Sequence, residues 1–233
     1  MIDFLNQLDT DLFLALNGHN TPFLDRFMVM VTGKYIWAPL YAVFLFTMFR
    51  RFRQVRMSLV FTLFAILAVA LADQTCATLI RPLVHRQRPS NLENPLSELA
   101  VIVGGYRGGA YGFPSCHAAN SMALAVFMAL TVRRKGFSFL VFTWAAVNAY
   151  SRLYLGVHYP GDLLVGALIG SALGYACFKA ANAISRTRAC DTRAELFQMP
   201  LSTSSGNITV TPTAATAGAA SALLLSIIFI SLI

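Results

Sequence analysis

Of the 233 residues, 57 % are hydrophobic and only 12 % charged, about half the charged share of an ordinary soluble domain, which excludes that class and points to a membrane protein. The net charge of +8 does not imply nucleic acid, because Lys and Arg cluster between apolar runs as orienting loop charges do. The four cysteines have no metal-knuckle spacing, so neither zinc nor a disulfide frame is expected.

Along the chain, residues 1–33 place Leu5, Leu8, Leu12, Phe13 and Leu16 at helical spacing, with Asp3, Asp9 and Asp11 breaking any long apolar run. That pattern predicts helix lying at the membrane interface, and the acids leave no basic region of the kind that opens a signal peptide. Residues 34–185 form the expected core. Spans are predicted at about 35–49, 57–80, 116–132, 137–155 and 162–180, several of them reaching the roughly 20 residues needed to cross the hydrocarbon. Between the second and third spans, Pro82, Pro89, Pro95 and glycines 104, 105, 108, 109 and 112 predict an extramembrane loop. Gly166, Gly170 and Gly174 recur every fourth residue on the fifth span, which suits close helix packing. Residues 186–213 read as a Ser/Thr-rich cytoplasmic linker and 214–233 as a candidate sixth span. The expected fold is an all-α, integral-membrane helical bundle of five or six spans with an N-terminal interfacial segment.

Alternating the spans collects the basic clusters at 50–56, 133–135 and 179–193 on one side, which is cytoplasmic by the positive-inside tendency. Arg81, Arg86, Arg88, Arg107 and Arg152 fall on the other side, where topology does not explain them. There, three segments hold nearly all side chains with catalytic potential: Arg81 through Arg88-Pro89, Pro114-Ser115-Cys116-His117, and Ser151-Arg152 with His158 and Asp162. Several guanidinium forks at one site match phosphate oxygens. The start of the third span adds free N–H groups and a positive dipole end at Ser115 and Cys116. Of two histidines, one can attack phosphorus while the other protonates the departing alkoxide, and a carboxylate can fix the attacking ring's tautomer. Asp73, inside the second span, reads as a buried counter-ion or hydrogen-bonding partner.

In this order and spacing the three segments resemble the signature of the type-2 phosphatidic-acid phosphatase superfamily. Arg81 stands where that family has Lys, and Cys116 where it has Gly; the third motif matches without departure. The resemblance implies that His158 becomes a phosphohistidine, Asp162 orients it, His117 is the general acid, and Arg81, Arg88, Ser115, Cys116 and Arg152 bind phosphate. No metal and no cofactor are expected: the ten Asp and Glu are scattered, whereas two-metal phosphoryl chemistry wants a carboxylate cluster. His85, Arg86, Tyr106, Arg107 and Tyr111 are candidate substrate contacts. The expected partners are a phosphorylated membrane lipid and the bilayer, at a bacterial inner membrane with the site facing the periplasm. A lipid A phosphate or undecaprenyl pyrophosphate is the favoured substrate, with phosphatidylglycerophosphate or phosphatidic acid as the alternative. A vanadate haloperoxidase and a non-catalytic lipid-binding or transport protein are the rivals from other classes.

Overall fold

The computed structural model describes residues 1–33, 35–52 and 54–186; the expected linker at 186–213 and the candidate span at 214–233 lie outside the described residues, apart from residue 186 at the end of the last helix. Helices α1 (Ile2–Leu16), α2 (Pro22–Val31), α3 (Ala38–Arg51), α4 (Val55–Gln74), α5 (Arg81–Val84), α6 (Cys116–Val132), α7 (Lys135–Tyr154) and α8 (Pro160–Arg186) follow in chain order. A π-helical turn, Thr75–Ile80, joins α4 to α5, so that Val55–Val84 runs as one 30-residue rod. Among the described residues the only strand-like pairing is a single bridge between Gln87 and Tyr111. The fold is an all-α membrane bundle.

Two helices, Val55–Val84 and Pro160–Ser185, are long and apolar enough to cross a membrane. The pair Pro22–Val31 and Tyr35–Arg51, bent by 73°, passes the same test jointly, and Cys116–Val132 is apolar but shorter. Helix α7 buries the polar residues Asn148, Ser151 and Arg152 along with its apolar ones. The segment expected as one interfacial helix is two, divided at Asn17, whose backbone turns extended at the end of α1, and restarted by Thr21, whose side chain caps α2 by accepting the Leu24 N–H.

Helix α6 sits at the centre, packed against α4, α7 and α8. Its small residues Ala118, Ala119, Ala123 and Ala125 are buried. A Cβ on Gly166, Gly170 or Gly174 would run into the carbonyl oxygens of Ser115, Ala119 and Ala123 respectively, so the glycine stripe lets the two backbones touch. Aromatic edges fill the far end, where Phe61, Phe127 and Phe178 meet one another. Leu59, Leu63, Ile66, Leu164 and Leu168 point outward, as they must on helices solvated by lipid. The basic clusters gather at the far end too: Arg51 Nε donates to Thr131 O, and Arg133 lies over Phe178. The opposite end holds the three segments singled out above.

Candidate active site

Each segment reaches that end on a different element. Arg81 rides the last turn of the α4–α5 rod, which stops at His85 in the left-handed region (φ 52°), turning the chain so that Arg88 points back into the bundle. Ser115 caps α6, its hydroxyl accepting the Ala118 N–H, which leaves the Cys116 and His117 N–H groups without an intrahelical acceptor. Helix α7 delivers Ser151 and Arg152. The α7–α8 turn carries His158, and the first turn of α8 carries Asp162.

His158 and Asp162 are fully buried. Asp162 Oδ2 is 3.2 Å from His158 Nδ1 and also accepts the Tyr159 N–H at 3.1 Å. Arg88 Nη1 lies 2.8 Å from His158 Nε2 and donates to Val157 O at 3.0 Å. Arginine can only donate, so Nε2 is the acceptor and Nδ1 carries the proton that Asp162 holds. Burial, then the charges of Arg88, Arg152 and Arg81, press the His158 pKa well below its ordinary value; its imidazole is therefore neutral at pH 7, with the lone pair on Nε2. The same crowding of cations, after burial itself, brings Arg88 down to about 10, still charged near neutrality.

The other basic groups converge on this histidine. Arg152 Nη1 donates to Thr32 Oγ1 at 2.6 Å, and its guanidinium sits 5.8 Å from the Tyr106 ring centre. Arg81 Nη2 donates to Pro114 O and to Cys116 Sγ, each at 3.0 Å. The Nε atoms of Arg81, Arg88 and Arg152 are all buried and donate to no protein acceptor. His117, at the first turn of α6, is within electrostatic reach of His158, Arg88 and Arg152. Its ring also lines a cavity of about 810 Å³ between α3, α4, α6 and α7, walled by Trp37, Phe44, Leu124, Met128 and Trp144. Asp73 borders the same cavity, where its Oδ1 accepts from Asn120 Nδ2 at 2.9 Å, the hydrogen-bonding role its depth suggested.

The remaining sequence candidates separate into two groups. Tyr106 faces Arg152. Arg86 does not face open space: its Nη1 is 2.9 Å from Asp162 Oδ1 and 2.7 Å from Asp9 Oδ2, and its guanidinium lies over Tyr159 at 4.0 Å. His85 packs edge-on against Tyr111 at the exposed rim, and Arg107 is tied to Ser90 by reciprocal bonds of 2.8 and 2.7 Å. The Ser115 N–H is already taken, donating to Asp162 O at 3.0 Å. Sequence reasoning missed Asp9 and Thr32, which carry no local motif, and it gave Gly112 no role beyond breaking a span. A Cβ on Gly112 would meet Arg88 Cγ at 3.0 Å, Asp162 Oδ2 at 3.1 Å and His158 Nδ1 at 3.4 Å, so the glycine loop lies directly on the histidine–carboxylate pair. Among the described residues no group of three His, Cys, Asp or Glu could hold a metal ion.

A family model for the PAP2 superfamily matches residues 62–186, which spans all three segments. The chain is 46 % identical over 192 residues to a lipid A 4'-phosphatase of Bacteroides thetaiotaomicron, covering 82 % of this chain and 85 % of the relative. It is 29 % identical over 170 residues to an undecaprenyl-diphosphatase of Sulfolobus acidocaldarius, covering 72 % and 75 %. The crystal structure of a transmembrane PAP2-type phosphatidylglycerolphosphate phosphatase from Bacillus subtilis superposes with a TM-score of 0.56 at 21 % identity, covering 78 % of this chain and 88 % of that one, a likeness of fold.

Proposed function

Because the chain belongs to the PAP2 superfamily and is a membrane lipid phosphatase, we propose that it removes a phosphate monoester from the headgroup of lipid A by way of a phosphohistidine on His158. The observation that carries the chemistry is the set of three guanidinium groups, each with a buried Nε donor unclaimed by protein, around one neutral histidine. Such a donor array matches a dianionic phosphoryl group and no neutral ligand.

His158 Nε2 attacks phosphorus as Arg88 transfers its hydrogen bond from that nitrogen to a phosphoryl oxygen. The bond from phosphorus to the lipid oxygen breaks, and His117 gives its proton to that oxygen. Asp162 balances the positive charge the imidazole gains. Water then attacks phosphorus, His117 takes its proton, the phosphorus–Nε2 bond breaks to restore neutral His158, and inorganic phosphate leaves. His117 is the member of this set that borders the apolar cavity, which suits an acid serving a lipid leaving group. Arg81, Arg88 and Arg152 stabilise the negative charge spread over the transferring phosphoryl oxygens, which is the main electrostatic contribution.

Lipid A is preferred over undecaprenyl diphosphate because the former relative is both closer in identity and matched over more of its length. The site end of the bundle is assigned to the periplasmic face of a bacterial inner membrane, since Arg51 and Arg133, members of the basic clusters, lie at the other end.

Phosphate release by the detergent-solubilised protein from lipid A, undecaprenyl diphosphate and phosphatidylglycerophosphate tests the substrate. Fastest turnover on lipid A is expected. Faster release from the diphosphate would move the assignment to that lipid, and binding without release would leave a lipid-binding protein. For orientation, a membrane-impermeant thiol reagent should label Glu98→Cys in intact cells; labelling only after permeabilisation would reverse the topology.

A further inference from the structure

We propose that Asp9, on the N-terminal helix outside the segment matched by the family model, is a positioning residue that shares Arg86 with Asp162 and so leaves net negative charge facing His158. The inference rests on the reading of His158 as nucleophile. Arg86 Nη1 stands between two carboxylates, 2.7 Å from Asp9 Oδ2 and 2.9 Å from Asp162 Oδ1. Asp162 turns its other oxygen to His158. The Asp162 side chain is fully buried, that of Asp9 only 13 % exposed, so the charges interact with little screening.

The charge count explains why a second carboxylate is present. Arg86 and Asp162 alone sum to zero, and a carboxylate so neutralised accepts the His158 N–H weakly. It would also offset little of the positive charge that the imidazole gains when Nε2 bonds to phosphorus. Asp9 draws on the same guanidinium nitrogen and leaves the Asp9–Arg86–Asp162 unit with one net negative charge, facing the histidine.

The fold holds Asp9 there by independent contacts. Its Oδ1 accepts the Gly161 N–H at 2.7 Å, at the first turn of α8 and one residue from Asp162. A Cβ at position 161 would sit 2.7 Å from Asp9 Oδ2 and push that carboxylate aside. Four residues along α1, Phe13 is fully buried and packs on Tyr159 at 5.5 Å, the ring over which Arg86 lies. At the end of the helix Asn17 accepts the Val101 N–H at 2.7 Å and donates to Tyr154 O at 3.2 Å. The polar face of α1 is thereby fastened to the loop that bears the nucleophile, while Phe4, Leu5, Leu8 and Leu12 remain exposed on the other face.

The test is steady-state kinetics of the full chain on the lipid that the wild type hydrolyses, with His158→Ala as the blank. Asp9→Asn keeps an oxygen for the Gly161 N–H but removes the charge. It should lower kcat roughly tenfold with KM nearly unchanged, and the same substitution should cost nothing further in an Arg86→Gln background, because Asp9 acts through Arg86. An equal loss in both backgrounds, or a wild-type kcat in Asp9→Asn, overturns the proposal. Should Asp9→Asn fail to fold, Asp9→Glu decides: retained charge should keep kcat within about threefold of wild type, and a tenfold loss in a stably folded Asp9→Glu would make the role one of shape. A wild type that releases no phosphate, or a His158→Ala variant that keeps normal turnover, overturns the underlying reading instead.

Discussion

Arg88 Nη1 donates to His158 Nε2 across 2.8 Å while Asp162 holds the opposite ring nitrogen at 3.2 Å. The two contacts fix one tautomer, with the lone pair on the nitrogen that faces the arginines, the atom proposed to attack. His158→Ala should reduce phosphate release to background and abolish the acid-labile phosphoenzyme that the wild type forms when quenched with labelled lipid.

His117 has the opposite signature if it serves the leaving group. His117→Ala should slow release from the lipid by about 10²–10⁴-fold. Phosphoenzyme formation from an aryl phosphate, whose leaving group needs no proton, should be much less affected. Comparing the two substrates in rapid-quench experiments checks this; equal loss on both would remove His117 from the acid role.

The unclaimed Nε donors make the arginines unequal to lysines. Arg88→Lys and Arg152→Lys keep the charge but lose the fork, each forfeiting about 1.5–3 kcal/mol of charged hydrogen bonding, or roughly a 10- to 150-fold fall in kcat/KM. Competitive inhibition by inorganic phosphate should weaken in parallel, as read from its inhibition constant.

Gly112 lies against three members of the site at once, and even a methyl group there would press on Arg88 and Asp162. Gly112→Ala should lower kcat at least tenfold, since small misplacements of reacting groups are costly, yet leave the thermal midpoint close to wild type because the loop lies outside the helical core. In contrast, Gly170→Leu on α8 should lower the midpoint sharply by driving α8 from α6, whereas Leu164→Ala on the exposed face should leave it nearly unchanged.

The buried neutral His158 gives stability a pH dependence. Its pKa is lowered in the folded protein, so below the unfolded value of about 6.5 the unfolded chain binds a proton that the native one does not. Stability is therefore complete above that pH and is lost as the pH falls through it. Thermal midpoints measured from about pH 7 to about pH 5 should fall more steeply for the wild type than for His158→Gln; parallel slopes would show that His158 is not the group concerned.

Several of these features were written in one dimension. Long apolar runs give spans because hydrocarbon solvates no bare backbone, and motif order gives the family because spacing along a helix or turn is local. The pairing of His158 with Asp162, which the family resemblance implied, is local too, as the two stand four residues apart at a helix start. The glycine stripe at 166, 170 and 174 told of close packing before its partner was known, because only small residues let backbones touch.

What the sequence could not settle is what depends on elements far apart meeting in space. Asp9 reads as one acid on an amphipathic helix, and only the packing of α1 against the α7–α8 turn brings it to Arg86. Arg86 itself, placed by its motif near the phosphate, is turned toward Asp162 because a buried carboxylate needs a cation more than the open rim does. Thr32 becomes a partner of Arg152 across 120 positions of sequence, and Gly112 lies on His158 although a loop's path is set by what it packs against. Local chemistry thus named the candidate reacting groups, and tertiary packing, through distances and burial that no spacing encodes, decided which charges surround them.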